Sequence, residues 1–516
     1  KLTMQNFEDA YGEYKILCHE EPIQPLNWLN CCASLRGLKS SYEALRVIKK
    51  GSTLHPQHKK IRYALMQCLA ETGKLGSAAQ MINDELRDCE ELNEQLMFNI
   101  QFIGEGYKLV ESQKLRNYAK AWASNQNKLK NLWADYMKEK KSTTKIRIAY
   151  FSQDFCDHPV GRFIRPIIKH HDRDKFEVYC INTGTINDKL TERIRKSSDR
   201  WIDITRMNNI EAASLIASHQ IDIIVELGGY TGGSRLGVLL YKCAPTQLSY
   251  LGYFAPTYIK TIDGWIGDPI LFKKNSETHK KSHKQILIDD GYMAYEEEID
   301  ARKDRIECKI FRFGTFNHAR KLSNETIELF SKLMQVNFQA KLVLKSISFN
   351  EEEGRNKILK RLMEYGIKEK DIEILPWVEG RKSHLECYRN IDVALDPFPY
   401  GGATTTCEAL FMGVPVITLI GRSMVENLSA SILKSAGKKQ WIADNKEEYI
   451  KIATKLMKEG LNTAEKREAL SEEIKKSKFG NTKLLTENLE YIYCDEANKS
   501  EKQFSREFIK DAASPN

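Results

Sequence analysis

The sequence predicts an all-helical domain followed by two consecutive α/β domains, each a doubly wound parallel sheet. Three observations carry that prediction. Residues 1–140 show helical patterning with almost no strand signal. From residue 146 onward, short apolar β-branched runs alternate with helical segments. After a polar, charged stretch at Glu296–Asp304 the same alternation begins afresh. The expected domains are a helical one at 1–140, a first α/β domain at 141–300 and a second at 301–485, with a C-terminal helix or tail at 486–516.

The helical part carries a repeat-like block of 32 residues from Pro25, with Trp28, Cys31, Cys32, Leu35 and Ala44 inside it and Pro56 at its end. Large and small residues in that order let two antiparallel helices approach closely, and the proline ends the second. The next block is looser, with Tyr63, Ala64, Gly73 and Ala78 at the corresponding places. Both resemble tetratricopeptide repeats, whose stacked helices commonly bind peptides or proteins. A charged, Lys-rich segment at 128–145 closes this part.

In the first α/β domain, IRIAYFS (146–152), FEVYCINTG (176–184), IDIIVELGG (221–229), TQLSYLG (246–252) and DGWIGDP (263–269) read as strands. In the second, FRFGTFN (311–317), KLVLKS (341–346), IEILPW (372–377), DVALDPF (392–398) and VPVITLIG (414–421) do so. Helices are expected at Asn324–Gln335, 351–365 and 381–389, with another opened by Gly401–Gly402–Ala403–Thr404–Thr405–Thr406. In doubly wound sheets, ligands bind at the carboxyl ends of the strands. Strand-end loops are therefore where chemistry is expected.

Composition excludes several classes. The chain has 516 residues, 41% hydrophobic and 29% charged, and no apolar run of about 18 residues, so no membrane span is expected. Its first 30 residues lack the basic-then-apolar pattern of a secretory signal. Twelve cysteines without a CxxC pair read as reduced thiols, which fits a cytoplasmic protein, and no HExxH or Cys/His cluster argues for zinc. The net charge of +9 is a modest excess spread over Lys-rich helices and lacks an aromatic-basic nucleic-acid motif. It suits an anionic small substrate.

The stretch GGATTTCEAL (401–410) lies between a strand and a helix. Gly401 and Gly402 allow close backbone approach, and Thr404 and Thr405 place hydroxyls and free N–H groups at a helix start, a site for phosphate oxygens. Glu408, one turn on, is placed to accept hydrogen bonds from ribose hydroxyls. The stretch is neither a P-loop nor a GxGxxG fingerprint. The one Asp-x-Asp, Asp172–Arg173–Asp174, precedes a strand rather than ending one, a poor place to hold a metal on a diphosphate. No metal is expected; a helix N-terminus and a lysine would neutralise the leaving group.

The segment LDPFPYGGATTTCEALFMGVPVITL resembles the donor-binding signature of the O-linked N-acetylglucosaminyltransferase family, in particular bacterial members that follow tetratricopeptide repeats. SQDFCDHPVGRF (152–163), VELGGYTGGSR (225–235), SYLGYFAPTYIKTIDGWIGDP (249–269), FGTFNHARKLS (313–323) and PWVEGRKSHLECY (376–388) resemble further family segments, in the family's order. The resemblance implies a GT-B fold of two facing Rossmann-like domains. It implies transfer of N-acetylglucosamine from UDP-GlcNAc to Ser or Thr of a protein, with inversion and with no metal or cofactor beyond the donor. The acceptor protein would be held by the repeat-like domain.

By residue, the resemblance implies that Lys321 contacts the diphosphate with help from His318. The backbone near Val378 reads the base edge, and His384 packs on the base. His158 lies near sugar and acceptor, with Asp222 an alternative base. Gly402, Ala403, Thr404, Thr405, Glu408, Gly229 and Tyr230 complete the expected substrate site. Ala403 stands where animal members have histidine, Glu408 where aspartate is usual, and Glu426–Asn427 where a Ser-Arg pair is usual. GDP-fucose, as in plant relatives, or a UDP-hexose with an asparagine acceptor are alternatives on the same fold. A repeat-bearing scaffold with a dead transferase domain is disfavoured by the joint presence of His158, Lys321, Thr404, Thr405 and Glu408.

Overall fold

The computed structural model describes residues 6–88, 94–106, 109, 117–118, 121, 131–137, 144–272, 283–306, 308–460 and 463–512. Half of the Lys-rich segment at 128–145 lies outside the described residues. The chain forms two compact units, Lys1–Leu115 with Glu297–Lys475, and Arg116–Glu296 with Lys476–Asn516.

The second of these units is built on a seven-stranded parallel sheet of β1 (Ile146–Ser152), β2 (Phe176–Asn182), β3 (Arg200–Asp203), β4 (Ile223–Glu226), β5 (Thr246–Ser249), β6 (Gly264–Gly267) and β7 (Lys284–Leu287), in the order β3-β2-β1-β4-β5-β6-β7. Strand β1 is buried on both faces from Ile148 to Ser152, as a central parallel strand requires. The order reverses between β1 and β4, so the loops after these strands meet at the switch point. The C-terminal helix Thr482–Ala512 returns to this unit, where His171 Nδ1 meets Glu490 Oε1 at 2.9 Å and Tyr150 meets Tyr493 at 3.4 Å between hydroxyls.

The other unit holds a six-stranded parallel sheet of β8 (Arg312–Thr315), β9 (Lys341–Leu344), β10 (Ile372–Ile374), β11 (Val393–Leu395), β12 (Val416–Leu419) and β13 (Ile442–Ala443). Its order, β10-β9-β8-β11-β12-β13, is that of a dinucleotide-binding fold, with the switch point between β8 and β11. The expected strands are present, all but the first in shorter form. Three were not anticipated: β3 and β7 are half-exposed, and β13 has two residues, so none carries a strong apolar run.

The N-terminal helices pack on this same unit. Helix starts recur at Pro25 and Lys59, and at Ser41 and Leu75, 34 residues apart in both cases, the tetratricopeptide period rather than the 32 residues of the sequence block. Close approach within the first pair is enforced: a Cβ on Gly51 would lie 2.8 Å from Trp28 Cβ. Glu351 caps the helix Ser41–Leu54 from the sheet domain, accepting from Tyr42 N at 3.1 Å and Glu43 N at 3.4 Å.

Candidate active site

At the β8/β11 switch point the chain leaves β11 through Asp396-Pro-Phe-Pro-Tyr-Gly-Gly. The loop folds around the buried Asp396 carboxylate, which accepts from Gly402 N at 2.6 Å and Thr418 Oγ1 at 2.8 Å. Gly402 is sterically required: a Cβ there would lie 2.7 Å from Asp396 Oδ1 and 2.7 Å from Thr405 Oγ1. The helix Thr404–Phe411 follows, and its N-cap is Ala403, which makes no side-chain capping bond. The threonines thus occupy the first turn rather than the cap. Thr404 and Thr405 are half-buried, and Thr405 Oγ1 donates to Asn317 Oδ1 at 3.1 Å. A helix start without a capping side chain is an anion-binding feature.

Lys321 reaches this loop from the end of β8. Its Nζ donates to Gly401 O at 2.7 Å and lies 4.7 Å from the centre of the Tyr400 ring. Burial lowers its pKa to about 8, opposed by Asp396 and assisted by Arg320. His318 caps the short turn Ala319–Lys321, its Nδ1 accepting from Arg320 N at 3.2 Å. Burial, then the charges of Arg320 and Lys321, push its pKa well below the ordinary imidazole value.

His384 sits on the helix Arg381–Glu386, which follows the half-buried Val378. Its Nδ1 meets Lys345 Nζ at 2.8 Å and its Nε2 meets Glu408 Oε2 at 3.0 Å. A lysine can only donate, so Nδ1 accepts and Nε2 carries the proton, which fixes the tautomer and the ring plane. Glu408 is buried, ion-paired to Arg381, and also accepts from Tyr388 OH at 3.1 Å. Arg381 is shared with Glu297 at 3.1 Å. Burial alone would raise the Glu408 pKa, but His384 and Arg381 outweigh it and hold the carboxyl at about 2. The carboxylate expected to face ribose is therefore also the anchor that orients Arg381 and His384. Lys345, Arg381, Tyr388, Asn317 and Asp396 were not singled out from the sequence; their importance comes from burial and pairing between distant segments, which no local spacing encodes.

In the other unit, His158 caps the helix Pro159–His170 at the β1 end, its Nδ1 accepting from Val160 N at 3.3 Å and lying 3.6 Å from Asp154. Partial desolvation lowers its pKa, with Asp154 opposing. With Nδ1 accepting, the neutral ring presents a donor at Nε2, so action as a base requires release of the cap bond. Gly229 turns with φ 53°, and a Cβ there would meet the Tyr253 ring at 2.2 Å. Tyr230 is buried and its hydroxyl donates to Thr257 O. Asp222 lies at the amino edge of β4, accepting from Arg147 N at 2.9 Å, at the opposite end from His158. Asp172 and Asp174 likewise precede β2, with Asp172 paired to Lys175 at 2.9 Å. Among the described residues no group of three or more His, Cys, Asp or Glu could hold a metal.

A known family pattern, glycosyl transferase family 41, matches residues 125–293 and 303–489, more than half of the chain. The chain belongs to glycosyl transferase family 41. It is 27% identical over 414 residues to a tomato (Solanum lycopersicum) protein described as probable UDP-N-acetylglucosamine–peptide N-acetylglucosaminyltransferase SPINDLY, covering 79% of this chain and 44% of that protein. An Arabidopsis thaliana protein of the same description is 28% identical over 377 residues, 72% of this chain and 41% of its own. The chain thus spans less than half the length of these relatives. Among solved structures, a Thermobaculum terrenum O-GlcNAc transferase variant superposes with a TM-score of 0.87 at 24% identity, over 96% of this chain and 95% of that one. The fold is therefore that of a GT-B glycosyltransferase with two Rossmann-like sheets and an N-terminal helical region resembling tetratricopeptide repeats.

Proposed function

We propose that this family 41 protein transfers N-acetylglucosamine from UDP-GlcNAc to Ser or Thr of protein acceptors, with inversion and without a metal. The observation that carries the reading is Lys321 Nζ placed on Gly401 O beside the open start of the helix Thr404–Phe411. A dianionic diphosphate exchanges its oxygens for that carbonyl and gains both the ammonium and the first-turn N–H groups. In this reading the uracil stacks on His384, its edge meets the backbone near Val378, and the ribose hydroxyls approach Glu408. Gly229 shapes the sugar side of the loop after β4. His158 orients the acceptor hydroxyl through Nε2 or, once its cap bond opens, takes its proton.

The helical repeats present the acceptor, which is a protein. The site of action is the cytoplasm, in keeping with Cys32 and Cys68 held as thiols 3.5 Å apart. Among the described residues, no helix is long and apolar enough to cross a membrane.

The test is a binding panel of UDP-, GDP- and TDP-sugars followed by mass spectrometry of candidate acceptors incubated with the preferred donor in the presence of a chelator. Selective UDP-GlcNAc binding and a chelator-resistant N-acetylhexosamine adduct on Ser or Thr support the reading. Stabilisation by GDP but not UDP, or modification of asparagine, overturns it.

A further inference from the structure

An aromatic side chain of the helical domain reaches the loop that faces Lys321. Residues Ile100–Glu105 form a single π-helical turn, a local widening of the kind frequent at functional sites. Phe102 on that turn is buried, with Phe98 stacked against it at 5.2 Å. Its ring meets the Tyr400 ring at 5.1 Å, tilted by 53°, and the Arg320 guanidinium lies 4.4 Å from its centre. Tyr400 in turn turns its face to Lys321 Nζ at 4.7 Å. The approach is tight: a Cβ on Gly106 would lie 2.7 Å from Phe102 O and 3.1 Å from the Tyr400 ring. An unbroken run of contacts therefore joins the N-terminal helices to the ammonium expected to hold the donor.

We propose that Phe102 is a positioning residue for Lys321, bracing Tyr400 so that its ring face holds the ammonium at the donor loop. The proposal rests on the donor-site reading above. Without the brace, Tyr400 swings toward the vacated space and water reaches the ammonium. The groups that face Lys321 are Asp396 from the end of β11, and Arg320 and His318 from its own turn. Of these groups only Arg320 touches Phe102, at 4.4 Å, so a shift in the titration of Lys321 reports its desolvation together with any movement of the Arg320 guanidinium. A second contact places Lys39 over the Trp377 ring at 4.0 Å, on the loop after β10 that carries Val378.

The experiment compares the full chain with Phe102→Ala, Phe102→Tyr and Arg46→Ala. The last removes an exposed ion pair, Arg46–Glu353 at 2.8 Å, between the same two domains but away from Tyr400. Reactivity of Lys321 toward a small acetylating reagent, read by peptide mass spectrometry against pH, reports its titration with no substrate present. UDP affinity is measured alongside. The wild-type inflection is expected near 8. Phe102→Ala moves it upward and weakens UDP binding about 2- to 10-fold, the range of one aromatic pair, whereas Phe102→Tyr and Arg46→Ala behave as wild type. An unmoved inflection in Phe102→Ala, or an equal shift in Arg46→Ala, overturns the proposal. Absence of UDP binding in every protein, with the inflection still moved by Phe102→Ala, sinks the donor-site reading and leaves the Phe102–Lys321 linkage standing.

Discussion

Replacing Lys321 with methionine removes the ammonium over Tyr400 while keeping a flexible apolar stem. The consequence follows from its lowered pKa. With a pKa of about 8, the charged fraction falls from about nine-tenths at pH 7 to about one-tenth at pH 9. Only the charged form pairs with a diphosphate, and the diphosphate of UDP-GlcNAc keeps its full charge across this window. The wild-type dissociation constant for UDP-GlcNAc should therefore rise about tenfold between pH 7 and pH 9, or about 1.4 kcal/mol. Lys321→Met should bind more weakly than wild type at pH 7, by at least a similar factor, and show no such dependence. Isothermal titration calorimetry at pH 7, 8 and 9 on both proteins measures this directly. The same tenfold weakening in Lys321→Met, or a flat wild-type profile, would refute the argument that Lys321 holds the diphosphate.

Three further outcomes are expected. Glu408→Gln loses the charge that holds Arg381 and His384. Because the folded carboxyl titrates at about 2 rather than 4.5, its stabilisation is full above the ordinary value and is lost as pH falls through about 2. Denaturation should show a deficit of about 3 kcal/mol at neutral pH that shrinks on acidification below about 4.5. Gly402→Ala forces the loop away from Asp396 and Thr405, and UDP affinity measured by calorimetry should drop about tenfold or more. His158→Ala should lower turnover by about 100-fold with donor affinity retained, and destabilise by about 1 kcal/mol through the lost cap to Val160.

The sheets were legible because central parallel strands are buried on both faces and must be written as apolar runs. IRIAYFS is such a run and matches its strand residue for residue. RWID and KQIL are not, because an edge strand needs fewer buried residues, and they form β3 and β7 unannounced. Strand-end residues with motif context, such as Lys321, Gly402, Thr405, His384 and Glu408, lie around one switch point. What the sequence did not convey is how charges are shared there. Lys345 lies inside the run KLVLKS read as a strand, yet its ammonium fixes the His384 tautomer. Glu408 looked like a free ligand for ribose, yet three side chains hold it. Tyr230, beside Gly229, is buried with its hydroxyl on Thr257 O. Each of these depends on which distant segment packs alongside, and that is information of tertiary structure.

The most direct measurement is a crystal structure of the full chain with UDP. The account predicts the diphosphate within hydrogen-bonding distance of Lys321 Nζ and of the backbone N–H groups of Thr404 and Thr405, with the uracil against His384. A diphosphate bound elsewhere, or seated there without contact to Lys321, would contradict it.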